Sequence, residues 1–323
     1  MNADLYVSPA GRDDNPGTFQ EPFASLARAV KAVGDLKKSG QDRDLVVYLR
    51  GGEYFLKAPV MLTEADSGEN GHRIIYRAYP GETPVLLGAV PITDWEETEP
   101  RGGHRTFRAP IADQWLFHTL YEDDTRVRKA RTPNEGYLAL ESGATENRAT
   151  WVRFREGDLP EFDFRRTQLL AWCGSIGTLQ NNWRSDLYPI LDIRWDERRI
   201  RLGGAPWWPF TPDNRYFVQG AIEFLDAPGE YHIDRKDDWL YYIPLQGDVE
   251  GHRILAPTTG TLVSLAGSSP KSPVHHISFE GLSFRFTDFS EEYHGGSAQA
   301  HEGALTLVNT QDIAILGCRI SQV

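Results

Sequence analysis

The stretch His276-Ile277-Ser278-Phe279-Glu280-Gly281-Leu282-Ser283-Phe284 returns as Asp312-Ile313-Ala314-Ile315-Leu316-Gly317-Cys318-Arg319-Ile320, position for position. In both copies apolar residues alternate with others, a glycine marks a bend, and apolar residues resume beyond it. This is the pattern by which successive coils of a parallel β-helix stack rung upon rung. The copies lie 36 residues apart, more than the roughly 20–30 residues that a short-looped coil needs. The excess is a polar excursion from Thr287 to Glu302, after which Ala304-Leu305-Thr306-Leu307-Val308 closes the coil. Solenoids place function on such excursions, because the loop varies while the stack fixes its position. The chain stops at Val323. A solenoid needs several coils and a polar cap, so the reading predicts a C-terminally truncated front part of a longer protein. Its last coil would offer an open edge for end-to-end self-association.

Earlier segments carry the same texture. Leu45-Val46-Val47-Tyr48-Leu49, followed by Gly51-Gly52-Glu53, is echoed by Ile75-Tyr76-Arg77-Ala78 with Gly81-Glu82, which predicts the first two coils. Val60-Met61-Leu62 and Pro84 to Gly88 supply further strands. Ahead of them, Leu5-Tyr6-Val7 reads as a short strand and Ser8 to Thr18 as a turn-rich loop. A helix follows, with Pro22 in its first turn and Phe23, Leu26, Ala27, Val30 and Val33 on one apolar face, placed to cap the open end of the stack.

Between about 113 and 250 the texture changes, and eight of the nine tryptophans lie there. Leu191 to Trp195 and Arg198 to Leu202 flank a two-residue turn, and Tyr231 to Asp234 and Trp239 to Ile243 flank another turn. Both read as antiparallel hairpins. The expected organisation is a cap and first coils over 1–112, an inserted antiparallel β domain over 113–250, and resumed, incomplete coils over 251–323, in an all-β fold.

A net charge of −12 argues against a phosphate-tracking nucleic-acid binder. The basic run Arg126 to Arg131 is bordered by Glu122, Asp123 and Asp124 and reads as a solvated face. The amino terminus has neither a basic region nor an apolar core, and no stretch reaches the length of a membrane span. The expectation is a soluble protein, cytoplasmic as written, or secreted or periplasmic if a signal was removed. Neither nucleic acid nor membrane is an expected partner.

Leu5-Tyr6-Val7-Ser8-Pro9-Ala10-Gly11, the Asn15-Pro16-Gly17-Thr18 turn and the Pro22-Phe23 helix resemble the start of right-handed parallel β-helix carbohydrate enzymes with a pectate-lyase-like solenoid. The inserted segment, with Asn214-Arg215-Tyr216-Phe217-Val218, Leu225 to Tyr231, Ile233-Asp234-Arg235 and Leu240 to Pro244, resembles the insertion domain of glycoside hydrolase family 141. The resemblance implies an α-L-fucosidase- or xylanase-like activity on plant polysaccharide. It also implies catalytic carboxylates on central rungs, most of which would follow Val323, so the catalytic residues stay unassigned and the fragment is expected to be incomplete or inactive. The rival readings are a polysaccharide lyase on the same scaffold and a non-catalytic carbohydrate-binding β-helix.

Glycoside hydrolysis needs two opposed carboxyl groups, and the excursion offers Asp288, Glu291, Glu292 and Glu302 beside His294 and His301. Asp288, Tyr293, His294 and Gln299 are the candidate substrate contacts, since Gly295-Gly296 lets backbone approach a ligand closely. Trp207 and Trp208, between prolines, are candidates to stack on an oligo- or polysaccharide, with burial in the insertion core as the alternative. His301-Glu302 lacks the spacing of a zinc helix, and Asp13-Asp14 and Asp123-Asp124 read as turns, so neither metal nor cofactor is expected.

Overall fold

A computed structural model describes residues 4–38, 40–113, 115–146, 149–174, 185–206, 208–289 and 303–323. The described elements are strands, one α-helix and two short 3-10 turns. No helix among the described residues is long and apolar enough to cross a membrane. The described residues divide into two compact units, one of 4–90, 255–289 and 303–323 and the other within 91–254.

The first unit consists of three parallel sheets that the chain visits in rotation. One sheet stacks Leu5–Val7, Leu45–Leu49, Ile74–Ala78, Val274–Glu280 and Thr310–Leu316 in that order. A second stacks Gly52–Phe55, Pro84–Leu87, Ser283–Arg285 and Arg319–Ser321, and a third Val60–Leu62, Val263–Ala266 and Leu305–Val308. The strand registers align like with like. Val47 pairs with Tyr76, Tyr76 with Phe279, and Phe279 with Ile315. On the second sheet Tyr54, Leu86, Phe284 and Ile320 form an equivalent column. Each inward residue thus covers the one below it, and burying a large apolar side chain in this way contributes about 1.5–3 kcal/mol. In the last coil Leu307, Ile315, Leu316 and Ile320 remain exposed.

The repeat that opens the sequence reading is a repeat of backbone as well as of side chains. His276 and Asp312 both take a positive φ, near 54° and 53°, and Gly281 and Gly317 follow at 68° and 60°. His275 and His276 lie within the strand Val274–Glu280, where the left-handed His276 kinks the rung. The helix begins later than expected, at Leu26. Ser25 caps it, accepting a hydrogen bond from the Arg28 backbone N–H at 3.1 Å, while Asp13 Oδ2 accepts from the Ser25 hydroxyl at 2.7 Å. Phe23 bridges to Val7 instead. Because the cap fixes the phase, Leu26, Ala29, Val30, Ala32 and Val33 form the buried face and Ala27 turns outward.

The second unit holds two sheets. One runs Leu120–Glu122, Thr125–Lys129, Glu230–Asp234, Trp239–Ile243, His104–Pro110 and Glu96–Arg101. The other runs Arg131–Thr132, Arg215–Gln219, Gln168–Ala171, Asp186–Arg194, Arg199–Leu202, Ala149–Arg153 and Ser142–Glu146. Both expected hairpins are present, with Ile193 opposite Ile200 and Ile233 opposite Leu240. Among the described residues, pairing between these strands is antiparallel apart from Thr125–Lys129 beside Glu230–Asp234, which is parallel. The unit begins at Pro91 and ends at Ile254, against an expected 113–250. The earlier start reflects His104–Pro110, whose Phe107 and Ala109 pair with Tyr242 and Leu240.

Candidate functional site

The coiled unit makes its two long excursions from equivalent places in neighbouring coils. In one coil the chain leaves after strand Pro84–Leu87, runs through the second unit, and resumes at Val263–Ala266. In the next it leaves after Ser283–Arg285 and resumes at Leu305–Val308. Both departures fall between the second sheet and the third, at one corner of the stack.

That corner is tightly built from polar groups. The Thr258 backbone N–H donates to Gly88 O at 2.7 Å, and its hydroxyl donates to Leu56 O at 2.8 Å. Gly88 has no room for a side chain, since a Cβ there would stand 2.9 Å from Phe286 O and 3.0 Å from a Leu262 methyl. Asp288, half-buried, is anchored by its backbone N–H to Thr259 O at 3.1 Å, and Thr287 N–H donates to Gln322 O at 3.2 Å. Arg285 Nε donates to Gln322 Oε1 at 3.1 Å, and its guanidinium stands 4.5 Å above the Phe286 ring. Phe289 beyond them is exposed. A carboxylate, hydroxyls and an exposed ring share one rigid corner, the mixture that hydrogen-bonds sugar hydroxyls and stacks on the apolar face of a pyranose. Glu291, Glu292, Tyr293, His294, Gln299, His301 and Glu302 lie outside the described residues.

The second unit carries a cleft of about 920 Å³. Lys129 and Gln168 meet in it, with Lys129 Nζ 3.3 Å from Gln168 Oε1, and Gln168 in turn accepts from Gln219 Nε2 at 3.0 Å. Burial, reinforced by the charges of Lys129 and Arg235, pulls the adjacent His118 down to about 3. Burial also lowers His232, whose Nδ1 lies 2.8 Å from Gly220 O. Both imidazoles are therefore neutral at pH 7. The lining carries five cationic side chains, Lys129, Arg165, Arg166, Arg235 and Lys236, against five carboxylates, Asp113, Asp163, Glu223, Asp234 and Asp238. These residues are scattered over more than a hundred positions without a motif, so only a correct pairing of the sheets could reveal them. Trp208 packs, partly buried, against the core of this unit, and Trp207 lies outside the described residues. Asp288 and Trp208 belong to different units.

Two further ionisable groups stand out in the second unit. Glu230 is fully buried, and burial raises it to about 7 although its Oε2 accepts from the Asp226 and Ala227 backbone N–H groups at 3.3 Å and Arg128 Nε lies 3.3 Å from Oε1. Asp123 forms the turn expected of it, with φ near 52°, and stands with Glu122 beside His252.

No protein-family model matches the chain. Over 123 residues it is 37% identical to "Pectate lyase PEL9" of Emericella nidulans, a match covering 37% of this chain and 28% of that protein. Over 84 residues it is 34% identical to "Uncharacterized protein YwoF" of Bacillus subtilis, covering 26% of this chain and 15% of that one. Among solved structures, a "Glycoside hydrolase" superposes on all of this chain with a TM-score of 0.82 at 18% identity, the match covering 62% of that protein. The chain therefore shares an all-β fold with a glycoside hydrolase along its full length, and spans about three fifths of that protein.

Proposed function

We propose that the chain is part of a glycoside hydrolase of the family 141 type, built on a right-handed parallel β-helix and acting on a plant-type polysaccharide. The right hand follows from the strong preference of parallel crossovers for it. The observation that carries the reading is the shared corner, where both excursions leave the stack in neighbouring coils and Asp288 is held beside Thr259. A sugar bound there meets a carboxylate just beyond the strand Ser283–Arg285 and loops that can vary in sequence without disturbing the stack. In this reading Asp288, together with Tyr293, His294 and Gln299, contacts substrate. Trp208 with Trp207 is a further proposed contact, and the carboxyl pair that hydrolysis requires belongs to the whole protein.

The local identity with a pectate lyase favours a second reading, in which the scaffold eliminates across a uronate linkage. Charge weighs against it. A chain of net charge −12 repels a polyanionic polyuronate unless cations bridge the two. The test incubates the whole protein with xylan, an aryl α-L-fucoside and polygalacturonate, and follows reducing ends and ultraviolet absorbance. Hydrolysis releases reducing ends without an unsaturated, absorbing product, and Asp288→Asn lowers kcat/KM roughly tenfold, about 1.4 kcal/mol of lost binding. An absorbing product from polygalacturonate would replace this reading with the lyase. Glycan binding without turnover would replace it with a carbohydrate-binding module.

A further inference from the structure

At the hairpin joining Leu120–Glu122 to Thr125–Lys129, consecutive carboxylates meet a histidine from the far end of the same unit. His252 Nδ1 lies 2.9 Å from Asp123 Oδ2 and 3.8 Å from Glu122 Oε1. The three ligand atoms all fall within 4.8 Å of one another. A tetrahedral zinc with bonds of about 2.0–2.1 Å sets its donors about 3.3 Å apart, a spacing that the two nitrogen–oxygen distances straddle. The backbone holds the approach in place, because Asp123 N–H donates to Arg253 O at 2.8 Å and Arg253 N–H donates to Asp123 Oδ1 at 2.9 Å.

Glu122 supplies an observation of a different kind. Its side chain is only 2% exposed, and its oxygens are treated unequally. Oε2 accepts from the Tyr242 hydroxyl at 2.5 Å and from the Leu245 backbone N–H at 2.9 Å. Among the described residues Oε1 accepts no hydrogen bond, and His252 Nδ1 lies 3.8 Å from it. The two bonds on Oε2 leave the acceptor sites of Oε1 for a further partner. Meanwhile the bonds on Oε2 fix the rotamer that aims Oε1 at His252, as groups behind a metal ligand orient it. Asp123 and His252 are partly exposed, which gives an ion a path in and leaves room for water as a fourth ligand.

We propose that Glu122, Asp123 and His252 form a zinc-type divalent cation site that ties the hairpin turn to the returning chain at His252. One imidazole and two carboxylates suit a borderline transition-metal ion better than calcium, which takes six to eight oxygen ligands. The proposal stands apart from the polysaccharide reading and survives its failure.

The whole chain is stripped with chelator and titrated with zinc chloride by calorimetry, and the visible spectrum of the cobalt-loaded protein is recorded. One zinc per chain is expected with a Kd below about 10 μM, together with cobalt bands of a low-coordinate site. His252→Gln and Asp123→Asn, both at partly exposed side chains, should each weaken zinc at least tenfold and abolish the cobalt bands. No heat of binding, or a Kd unchanged by His252→Gln, overturns the proposal. So does zinc held by histidines elsewhere, seen as unaltered cobalt bands in both variants. Glu122→Gln is the less informative variant, since Tyr242 also depends on that carboxyl.

Discussion

The coiled unit and the inserted unit are both β-rich, yet they solve burial in opposite ways. In the first, each inward side chain rests on its equivalent one coil away, as Tyr76 does on Phe279 with ring centroids 5.5 Å apart. In the second, partners are unlike and distant in sequence, as Tyr242 is to Glu122 and His104–Pro110 to Trp239–Ile243. Stacking of like on like is a repeated local rule, and each coil can be tested against its neighbour. The inserted unit has no such rule, and its buried polar groups must each find a particular partner.

The largest effect should come from breaking a column. Phe279 is fully buried between coils, so Phe279→Ala should cost about 3–5 kcal/mol. Denaturation followed by amide exchange should show the loss in 274–280 and 74–78, while protection across 215–219 persists. Equal loss in both would merge the two units into one cooperative body.

A pH series should single out the inserted unit. Burial keeps Glu230 protonated up to about 7, whereas the unfolded side chain ionises near 4.5. Between those values the folded form binds the extra proton, so the contribution of Glu230 to stability is highest below 4.5 and falls as pH rises through the window, by about 3 kcal/mol. Glu230→Gln should flatten that slope in urea titrations at pH 5 and pH 8. A slope of the opposite sign in the wild type would refute the assignment.

Gly281 tests the corner of the repeat. Its φ is 68°, and a Cβ there would stand 3.2 Å from Ala78. Gly281→Ala should cost about 1 kcal/mol, seen as a small fall in urea midpoint.

The smallest effect is expected at Tyr76, whose buried hydroxyl has no hydrogen-bond partner. Removing an unsatisfied group relieves its desolvation, so Tyr76→Phe should be neutral or stabilise by up to about 1 kcal/mol. A loss above that would reveal a partner for the hydroxyl.

The same contrast explains what could be read before folding. Ile277 with Ile313 and Phe284 with Ile320 were legible because the rung rule writes itself into the sequence at fixed spacing. The start of the helix was misplaced because Ser25, capped onto Asp13, outweighs the tolerance of Pro22 for a first turn. The candidate site was half legible. Asp288 stands out because an excursion interrupts a repeat, but Thr259 and Gly88 reach that corner only through the stacking of coils. Glu122, Asp123 and His252 were opaque for the same reason, since 129 positions separate the turn from its histidine partner. Asp123-Asp124 read as a turn, which it is, and nothing in its spacing reveals His252.

The central claim, that the shared corner is where saccharide meets the coiled unit, is tested most directly by amide exchange with and without a xylan-derived oligosaccharide, using an oligogalacturonate as the contrast. Added protection at 258–261 and 286–289 with the neutral sugar, lost in Asp288→Asn, is the predicted result. Protection by oligogalacturonate alone, or an unchanged corner while the ligand binds elsewhere, would contradict it.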